Sequence, residues 1–300
     1  MVESSLKRAL LSLEGLSIGD AFGQCFFQTN ADAGRPARAL PDAPWYYTDD
    51  TEMSLSVVSI LARFGRIEQD ALAISFAHRY SYDRAYGPSM HRVLERIRRG
   101  EDWRDVARDS FGGQGSFGNG AAMRAAPIGA FFASDLVETV EQARLSAEPT
   151  HAHPEGIAGA VAVAVAAALA VRYRASSRRP ALAEFIDEIA SNLPESEVRC
   201  RLLRAKGITG VESQGFAVSI LGNGIGMSAQ DTVPYALWCA GLCLHDFADA
   251  QWLAVEAGGD RDTLCAIVGG VVACYAGEDG FPMAWKRMRE PLPSWHLAAA

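Results

Sequence analysis

Apolar residues recur along the chain with the three-to-four residue spacing of amphipathic helices, whereas the alternation typical of strands is scarce. One apolar stripe runs through residues 6–16, and a second covers residues 53–64 and stops at Gly65. The same spacing predicts further helices over residues 71–80, 91–99, 102–110, 136–147, 181–193, 195–206, 234–244 and 264–275. The pattern predicts an all-α fold, a single compact multi-helix domain over residues 1–300.

The longest apolar run covers residues 156–171 and is closed by Glu155 and Arg172. A membrane span needs about 20 apolar residues, so this Ala-rich run predicts a buried central helix. The first residues lack the apolar stretch of a signal peptide. Six cysteines in 300 residues fit reduced core thiols better than a disulfide framework. We therefore expect a cytoplasmic protein with no membrane partner.

Composition narrows the classes of ligand. A hydrophobic share of 49% and a charged share of 21% exclude a disordered or coiled-coil chain. The formal net charge of −8 disfavours nucleic acid as a partner, because binding a polyanion needs positive charge. Residues 91–108 are basic but interleaved with acids, which is typical of a solvated helix pair. A phosphorylated ligand would need a metal ion or a cradle of backbone N–H groups.

Two loops each place paired carboxylates and a hydroxyl directly before an apolar helix. They are residues 48–51 (Thr-Asp-Asp-Thr) and 258–263 (Gly-Gly-Asp-Arg-Asp-Thr). One interpretation is helix capping, for which one acid per helix suffices. The other is a site for Mg²⁺ or Mn²⁺, which prefer oxygen ligands, and four carboxylates would balance two such cations. More than 200 residues separate the loops, so the fold would have to bring them together.

Two further loops carry candidate binding groups. Residues 112–120 contain five glycines, which favour either a phosphate cradle or a packing turn. Neither a Walker lysine nor a preceding strand accompanies them. Of the two histidines in the next loop, His151 is the candidate substrate contact, and His153 is interpreted as a helix-start residue. Asp231 or Thr232 is expected to cap the helix that contains Pro234.

The ordered set of motifs resembles the ADP-ribosylglycohydrolase family, which includes the dinitrogenase reductase-activating glycohydrolases and the ADP-ribosyl-acceptor hydrolases. The resemblance runs from about residue 8 to about residue 286. It rests on five segments in order, namely residues 18–23 (Ile-Gly-Asp-Ala-Phe-Gly), 48–51, 115–124 (Gly-Ser-Phe-Gly-Asn-Gly-Ala-Ala-Met-Arg), 150–151 and 258–263.

The resemblance implies an all-α fold with two Mg²⁺ (or Mn²⁺) ions at the base of an ADP-ribose cleft. Matched by motif, the implied metal ligands are Thr48, Asp49, Asp50, Asp260, Asp262 and Thr263. The implied groups for the diphosphate, the distal ribose and the substrate are Gly115, Ser116, Phe117, Gly118, Asn119 and His151. Asp50 or Asp262 would accept a proton from the attacking water, and Asp20 would support the centre structurally.

The implied function is a metal-dependent hydrolase that releases ADP-ribose from an ADP-ribosylated protein or small-molecule acceptor. N-linked arginine is the first choice of acceptor, and O-linked or small-molecule acceptors come next. The alternatives are a non-catalytic ADP-ribose-binding or structural relative and a metal-dependent phosphoesterase. Two positions depart from the family pattern, since no acid follows Gly23 closely and Arg261 stands between the aspartates of the second motif.

Overall fold

The computed structural model describes residues 2–27 and 38–297, and within these ranges every regular element is helical. The α-helices, in chain order α1 to α15, are Val2–Gln24, Asp49–Phe64, Gln69–Arg79, Pro88–Arg98, Trp103–Gly113, Ala126–Phe131, Leu136–Ala147, Pro154–Ala175, Leu182–Ala190, Glu197–Ala205, Gln214–Leu221, Ala229–Leu242, Phe247–Val255, Arg261–Ala276 and Met283–Met288. The predicted all-α fold is confirmed.

Helix α8 forms the centre of the larger apolar core, as its Ala-rich sequence predicts. By length and composition this helix alone, within the described ranges, could cross a membrane, but most of it is buried inside the protein. Its small side chains let neighbours approach closely: a Cβ added to Gly129 of α6 would lie 1.8 Å from the carbonyl oxygen of Ala164. Helix α8 is therefore the central helix against which its neighbours pack.

A glycine stripe on α1 brings α1 and α14 into backbone contact. Gly15, Gly19 and Gly23 recur every four residues, so they share one face of the helix. An added Cβ at these glycines would lie 2.1–2.5 Å from carbonyl oxygens of α14, those of Gly269, Cys265 and Arg261 in turn. Only glycine permits so short a separation. The stripe sets Asp20 of α1 beside the first turn of α14.

Helix α12 begins earlier than the sequence predicts, because Pro234 lies inside it rather than at its start. A proline lacks the N–H that would bond the carbonyl four residues earlier, here that of Gln230. Arg201 of α10 supplies a substitute donor, with its Nη1 3.2 Å from the Gln230 oxygen. A contact from a distant helix thus makes the internal proline tolerable.

The expected cap of α12 by Asp231 or Thr232 is also wrong. The residue before the helix is Ser228, and the Thr232 hydroxyl donates to its carbonyl oxygen at 2.9 Å from within the first turn. Asp231 instead accepts a bond from the backbone N–H of Gly226 at 2.8 Å. Its carboxylate therefore closes the preceding loop rather than the helix.

Candidate active site

The two acidic loops, distant in sequence, meet where α2 and α14 begin beside α1. Thr48 and Asp260 occupy the N-cap positions of α2 and α14, yet neither side chain makes a capping bond. Capping therefore does not account for the acids. Carboxylate oxygens of Asp20, Asp50 and Asp262 all lie within 4.8 Å of one another, and all three residues are buried. The fold therefore brings together acidic residues that lie far apart in the sequence.

Asp20 braces the start of α2. Its two oxygens accept bonds from the backbone N–H and the hydroxyl of Thr48, and from the backbone N–H and the hydroxyl of Thr51, at 2.5–3.1 Å. Burial raises the pKa of Asp20 to about 6, and these bonds oppose the rise by favouring the charged form. Such a fully bonded carboxylate is suited to orient its neighbours.

Asp50 is bonded at one oxygen only. The Thr48 hydroxyl lies 3.0 Å from Asp50 Oδ2, and the Thr263 hydroxyl lies 3.5 Å from the same atom. The other oxygen, Oδ1, is buried and has no hydrogen-bond partner among residues 2–27 and 38–297. A buried polar atom without a partner is costly and calls for an explanation. A bound cation would supply one.

The electrostatics of the cluster favour the same explanation. Burial raises the pKa of Asp49, Asp50 and Asp262 well above the usual range, and neighbouring carboxylates raise each further. The pKa of Asp260 is raised by burial as well. Charged acids so close together repel one another unless protons or cations intervene. Carboxylate and hydroxyl oxygens are the donors that Mg²⁺ and Mn²⁺ accept, so the residues fit such ions.

A cavity of about 430 Å³, here called the first cavity, opens above these acids. Asp49, Asp260, Asp262 and Thr263 form its floor, and the glycine loop with His151 forms one wall. Of the predicted site residues, all but Thr48, Asp50 and Gly115 line it directly. Asp50 lies beneath the floor, and Gly115 packs behind the wall, where an added Cβ would lie 2.7 Å from the backbone nitrogen of His153.

The glycine loop does not open a long helix, as the phosphate-cradle interpretation supposed. It leads into a single 3₁₀ turn, Asn119–Ala121, and then into α6. Asn119 joins the loop to the acidic floor, because its amide nitrogen lies 2.6 Å from Asp260 Oδ2 and 2.9 Å from the Thr232 hydroxyl. The wall and the floor of the first cavity are therefore directly connected.

Behind the glycine loop, Arg124, Thr150 and His151 form a buried hydrogen-bond relay. Arg124 Nη2 donates to the Thr150 hydroxyl at 2.8 Å, and that hydroxyl lies 2.7 Å from His151 Nδ1. Because a guanidinium only donates, the hydroxyl accepts from it, and its own proton can go to Nδ1 at 2.7 Å or to the carbonyl oxygen of Ala147 at 3.4 Å. We assign it to Nδ1, the nearer acceptor, which puts the ring proton on Nε2.

His151 therefore presents a neutral donor to the first cavity. Its Nε2 lies beneath the loop, 3.2 Å and 3.1 Å from where Cβ atoms on Gly118 and Gly120 would stand. Burial, together with the charge of Arg124, lowers the pKa of His151 to about 3. A neutral ring with a proton on Nε2 can donate to an anionic or hydroxyl oxygen. Glycines leave the space through which that bond would form.

His153 has the structural role that the sequence indicates. It precedes α8, and its Nδ1 accepts a bond from the backbone N–H of Glu155 at 3.1 Å. Arg261 turns away from the acids that flank it, with its Nη1 donating to the carbonyl oxygen of Phe26 at 3.0 Å. Arg261 therefore ties α14 to the turn that follows α1.

Sequence reasoning missed two apolar groups at the rim of the first cavity, Phe111 and Met227. Phe111 is half exposed and has a φ of 54°, an unusual value for a residue with a side chain. The regular part of α5 ends just before it, so the helical spacing gave no indication that this ring would face the cavity. The positive φ of Phe111 suggests a functional position, but it is visible only in the structure and not in the sequence.

Together, the helical fold and the two acidic loops place a cluster of buried carboxylates, whose oxygens fit a divalent cation, beneath a cavity. The ADP-ribosylglycohydrolase family model matches residues 1–299. The chain belongs to that family, and so to the glycohydrolase-type hydrolases.

Individual relatives agree with this assignment. The chain is 29% identical to human ADP-ribosylhydrolase ARH3 over 95% of its own length and 90% of the relative's. It is 30% identical to the mouse ARH3 over 86% and 77%. A solved structure of an ADP-ribosylglycohydrolase-related protein complex has the same fold, with a TM-score of 0.67 and 23% identity over 96% of this chain and 94% of that one.

Proposed function

We propose that the protein is a metal-dependent hydrolase that releases ADP-ribose from an ADP-ribosylated acceptor, with N-linked arginine as the first choice. O-linked and small-molecule acceptors come next. The observation that carries the proposal is the meeting of two acidic loops beneath one cavity, where Asp50 Oδ1 is buried and has no hydrogen-bond partner among the described residues. Family membership supports the hydrolase class.

Two Mg²⁺ or Mn²⁺ ions would be held by oxygen atoms of Thr48, Asp49, Asp50, Asp260, Asp262 and Thr263. When bound, the cations would supply positive charge that lowers the pKa of water and offsets the charge of the substrate. Thr48 and Thr263 already direct their hydroxyls toward Asp50, and Asp20 holds Thr48 in place. The chain thus orders this set of donors before any ion arrives.

The acids would also handle the proton in the reaction. Water attacks the anomeric carbon of the distal ribose, and the bond from that carbon to the acceptor breaks. A proton of the attacking water would pass to Asp50 or Asp262 and on to the departing acceptor, so that the OH of water ends on the ribose and its other hydrogen on the acceptor.

The wall of the first cavity would bind the rest of the ligand. Ser116 to Asn119 line the cavity, and His151 donates from Nε2. We place the diphosphate and the distal ribose here, because neutral donors bind phosphate without needing a basic surface. The exposed ring of Phe111 at the rim would stack on a base.

We also propose a cytoplasmic location. Four of the six cysteines, Cys239, Cys243, Cys265 and Cys274, are free thiols buried in the core. Thiols of this kind suit a reducing compartment.

The test incubates the protein with peptides carrying ADP-ribosylarginine or ADP-ribosylserine, in Mg²⁺, Mn²⁺ or EDTA, and follows free ADP-ribose. Metal-dependent release from the arginine linkage, lost in Asp260→Ala, is the expected result. Binding of ADP-ribose without release from either peptide would favour a non-catalytic relative. Release of phosphate instead of intact ADP-ribose would identify a phosphoesterase.

A further inference from the structure

The C-terminal segment of the described chain binds the residues that lead into the first acidic loop. The backbone N–H of Trp45 donates to the carbonyl oxygen of Met288 at 2.7 Å, and the N–H of Glu290 donates to the carbonyl oxygen of Trp45 at 2.9 Å. The side chain of Glu290 continues this pairing, since its Oε1 accepts a bond from the Tyr47 N–H at 3.0 Å. The two segments therefore lie side by side directly before Thr48.

Arg84 closes a ring of bonds around Tyr47. Its Nη1 donates to Glu290 Oε1 at 2.5 Å and to the Tyr47 carbonyl oxygen at 2.8 Å, and its Nη2 lies 3.3 Å from Glu290 Oε2. The guanidinium carbon also lies 3.8 Å from the centre of the Tyr47 ring. Arg84 and Glu290, here called the clamp, thus bond both the N–H and the carbonyl group of Tyr47.

The clamp reaches two of the implied metal ligands through the backbone. The Tyr47 carbonyl belongs to the same peptide unit as the Thr48 N–H, which donates to the Asp20 carboxylate at 3.0 Å and 3.1 Å. Arg84 therefore holds this peptide on one side and Asp20 holds it on the other. The carbonyl oxygen of Arg84 also accepts a bond from the Asp49 N–H at 2.7 Å. The two residues after Tyr47 are thus both fixed by bonds to or beside the clamp.

The same C-terminal segment is tied to α1, the helix that carries Asp20. Arg289 Nη2 donates to Glu14 Oε1 on α1 at 2.9 Å. The segment therefore bonds both α1 and the entry to α2, the two elements that Asp20 joins in the acidic centre. A displacement of residues 288–290 would move one of these elements relative to the other.

The clamp is suited to fix a geometry rather than to add charge. The Arg84 and Glu290 side chains are 22% and 18% exposed, so solvent screens the pair little, and their charges cancel. A contact between a guanidinium and both oxygens of a carboxylate is directional as well as strong, whereas exposed ion pairs contribute little. Because both partners also bond the Tyr47 backbone, the ion pair fixes the main chain at this point.

The position of that main chain matters because the side chains that follow it are short. The Thr48 hydroxyl is only two bonds from its Cα, and the Asp49 carboxylate oxygens are only three. Neither side chain can compensate for a displaced backbone. Groups that orient metal ligands through hydrogen bonds commonly contribute about tenfold to a hundredfold to metal affinity.

We propose that the clamp positions the metal centre. By fixing the Tyr47 backbone, it sets where Thr48 and Asp49 present their oxygens. This proposal rests on the proposed function. Glu290 and Arg84 are positioning residues: neither lines the first cavity, and neither takes part in breaking the bond.

The test measures the binding of Mn²⁺ alone to the full chain, by calorimetry, in Glu290→Ala, Glu290→Gln and the unchanged protein. Glu290→Ala should raise the Kd for Mn²⁺ about tenfold. Glu290→Gln should raise it less, because the amide oxygen can still accept the bonds from Tyr47 and Arg84. The affinity for ADP-ribose in EDTA should stay unchanged in both variants, because the wall of the first cavity is intact.

A double variant tests whether Arg84 acts through the same clamp. Arg84→Gln alone should also weaken Mn²⁺ binding. Adding it to Glu290→Ala should weaken binding little further, because residues that act as a unit give losses that do not add. Additive losses would show that the two side chains act separately and that the clamp does not exist as a unit.

Two controls separate positioning from stability and from charge. Tyr173→Phe removes a hydrogen bond of 2.7 Å to Glu188, away from the centre, and should lower the melting temperature without changing the Kd for Mn²⁺. Asp105→Asn removes one negative charge, as the Glu290 variants do, but from an exposed residue that does not line the first cavity. It should bind Mn²⁺ as the unchanged protein does.

The outcomes distinguish the two proposals. If the unchanged protein binds Mn²⁺ and Glu290→Ala binds it equally well, the clamp proposal is wrong while the proposed function stands. The clamp proposal is also wrong if Tyr173→Phe weakens Mn²⁺ binding as much as Glu290→Ala does. If Glu290→Ala does not fold, Glu290→Gln and Arg84→Gln decide. If the unchanged protein binds neither Mn²⁺ nor Mg²⁺, the metal-dependent function is wrong, and the clamp proposal is wrong with it.

Discussion

The floor and the wall of the first cavity are built on opposite principles. The floor gathers carboxylates that repel one another, and within the described ranges Asp50 Oδ1 has no hydrogen-bond partner. In the wall, the relay from Arg124 through Thr150 to His151 is joined at each step by a hydrogen bond of 2.7–2.8 Å. The floor is strained by charge repulsion, whereas the wall is held together by hydrogen bonds, although Arg124 Nε, like Asp50 Oδ1, has no hydrogen-bond partner in the described part of the chain.

This difference separates two ways of organising a site. The floor stores electrostatic repulsion that a cation would relieve, so its stability should depend on metal and pH. The wall directs a neutral donor with bonds internal to the protein, so its geometry should depend on neither. Changes in the two regions should therefore have different signatures.

The largest effect should come from the floor. Asp262→Asn should lower the rate of ADP-ribose release about a thousandfold, because it removes a metal ligand and a proton acceptor. The melting temperature of the metal-free variant should equal or exceed that of the unchanged protein, because one repelling charge is gone. Asp105→Asn is the control for rate and melting. A variant that lost metal-free stability would show that Asp262 holds the fold together.

Metal removal should reveal the repulsion as a dependence on pH. The aspartates of the unfolded chain have a pKa of about 3.9. Because the pKa values of these residues are raised in the folded protein, it binds protons more tightly than the unfolded chain does. Stability from this source is full below that pH and is lost as the pH rises through about 6, the pKa of Asp20, and beyond. Melting curves in EDTA and in Mg²⁺ should diverge from pH 5 to pH 8, and an equal Mg²⁺ effect at both pH values would contradict this.

The wall should respond to a break in its relay. Thr150→Val keeps the shape but removes the hydroxyl, so the affinity for ADP-ribose should fall about tenfold, whereas Thr150→Ser should retain it. Nitrogen NMR should show the His151 proton on Nε2 in the unchanged protein. In Thr150→Val it should show a mixture of the two neutral tautomers, one protonated at Nδ1 and the other at Nε2. Because the pKa of His151 is about 3, its signals should not titrate between pH 5 and pH 8. Titration in that range would show that the ring is not buried as described.

The smallest effect should come from Ala85, which lines the first cavity. Ala85→Gly relieves a positive φ, so it should raise the free energy of unfolding by up to about 1 kcal/mol. Ala284→Gly, an exposed position within α15, should lower it instead. Chemical denaturation of the two variants gives the comparison. Destabilisation by Ala85→Gly would mean that the methyl group packs usefully.

The sequence was most informative where one local signal decided the structure. Apolar spacing located eleven of the fifteen described α-helices and missed α6, α11, α13 and α15, and the paired acids before two helices marked the floor. It failed where a distant partner decides, as at Pro234, which is tolerated because Arg201 bonds the freed carbonyl of Gln230. The relay from Arg124 was missed for the same reason, since 26 residues separate Arg124 from Thr150.

The glycine stripe on α1 sets the distance between the helices that carry the proposed metal ligands. Metal–oxygen bonds to Mg²⁺ tolerate only a few tenths of an ångström around about 2.0–2.1 Å. The carboxylates that would make them sit on helices whose separation is set by Gly19 and Gly23, some distance along the chain from any acid of α2 or α14. One methyl group there would spread the helices further than the ions allow. The absence of side chains at these glycines therefore sets the spacing of the carboxylates in the proposed metal site.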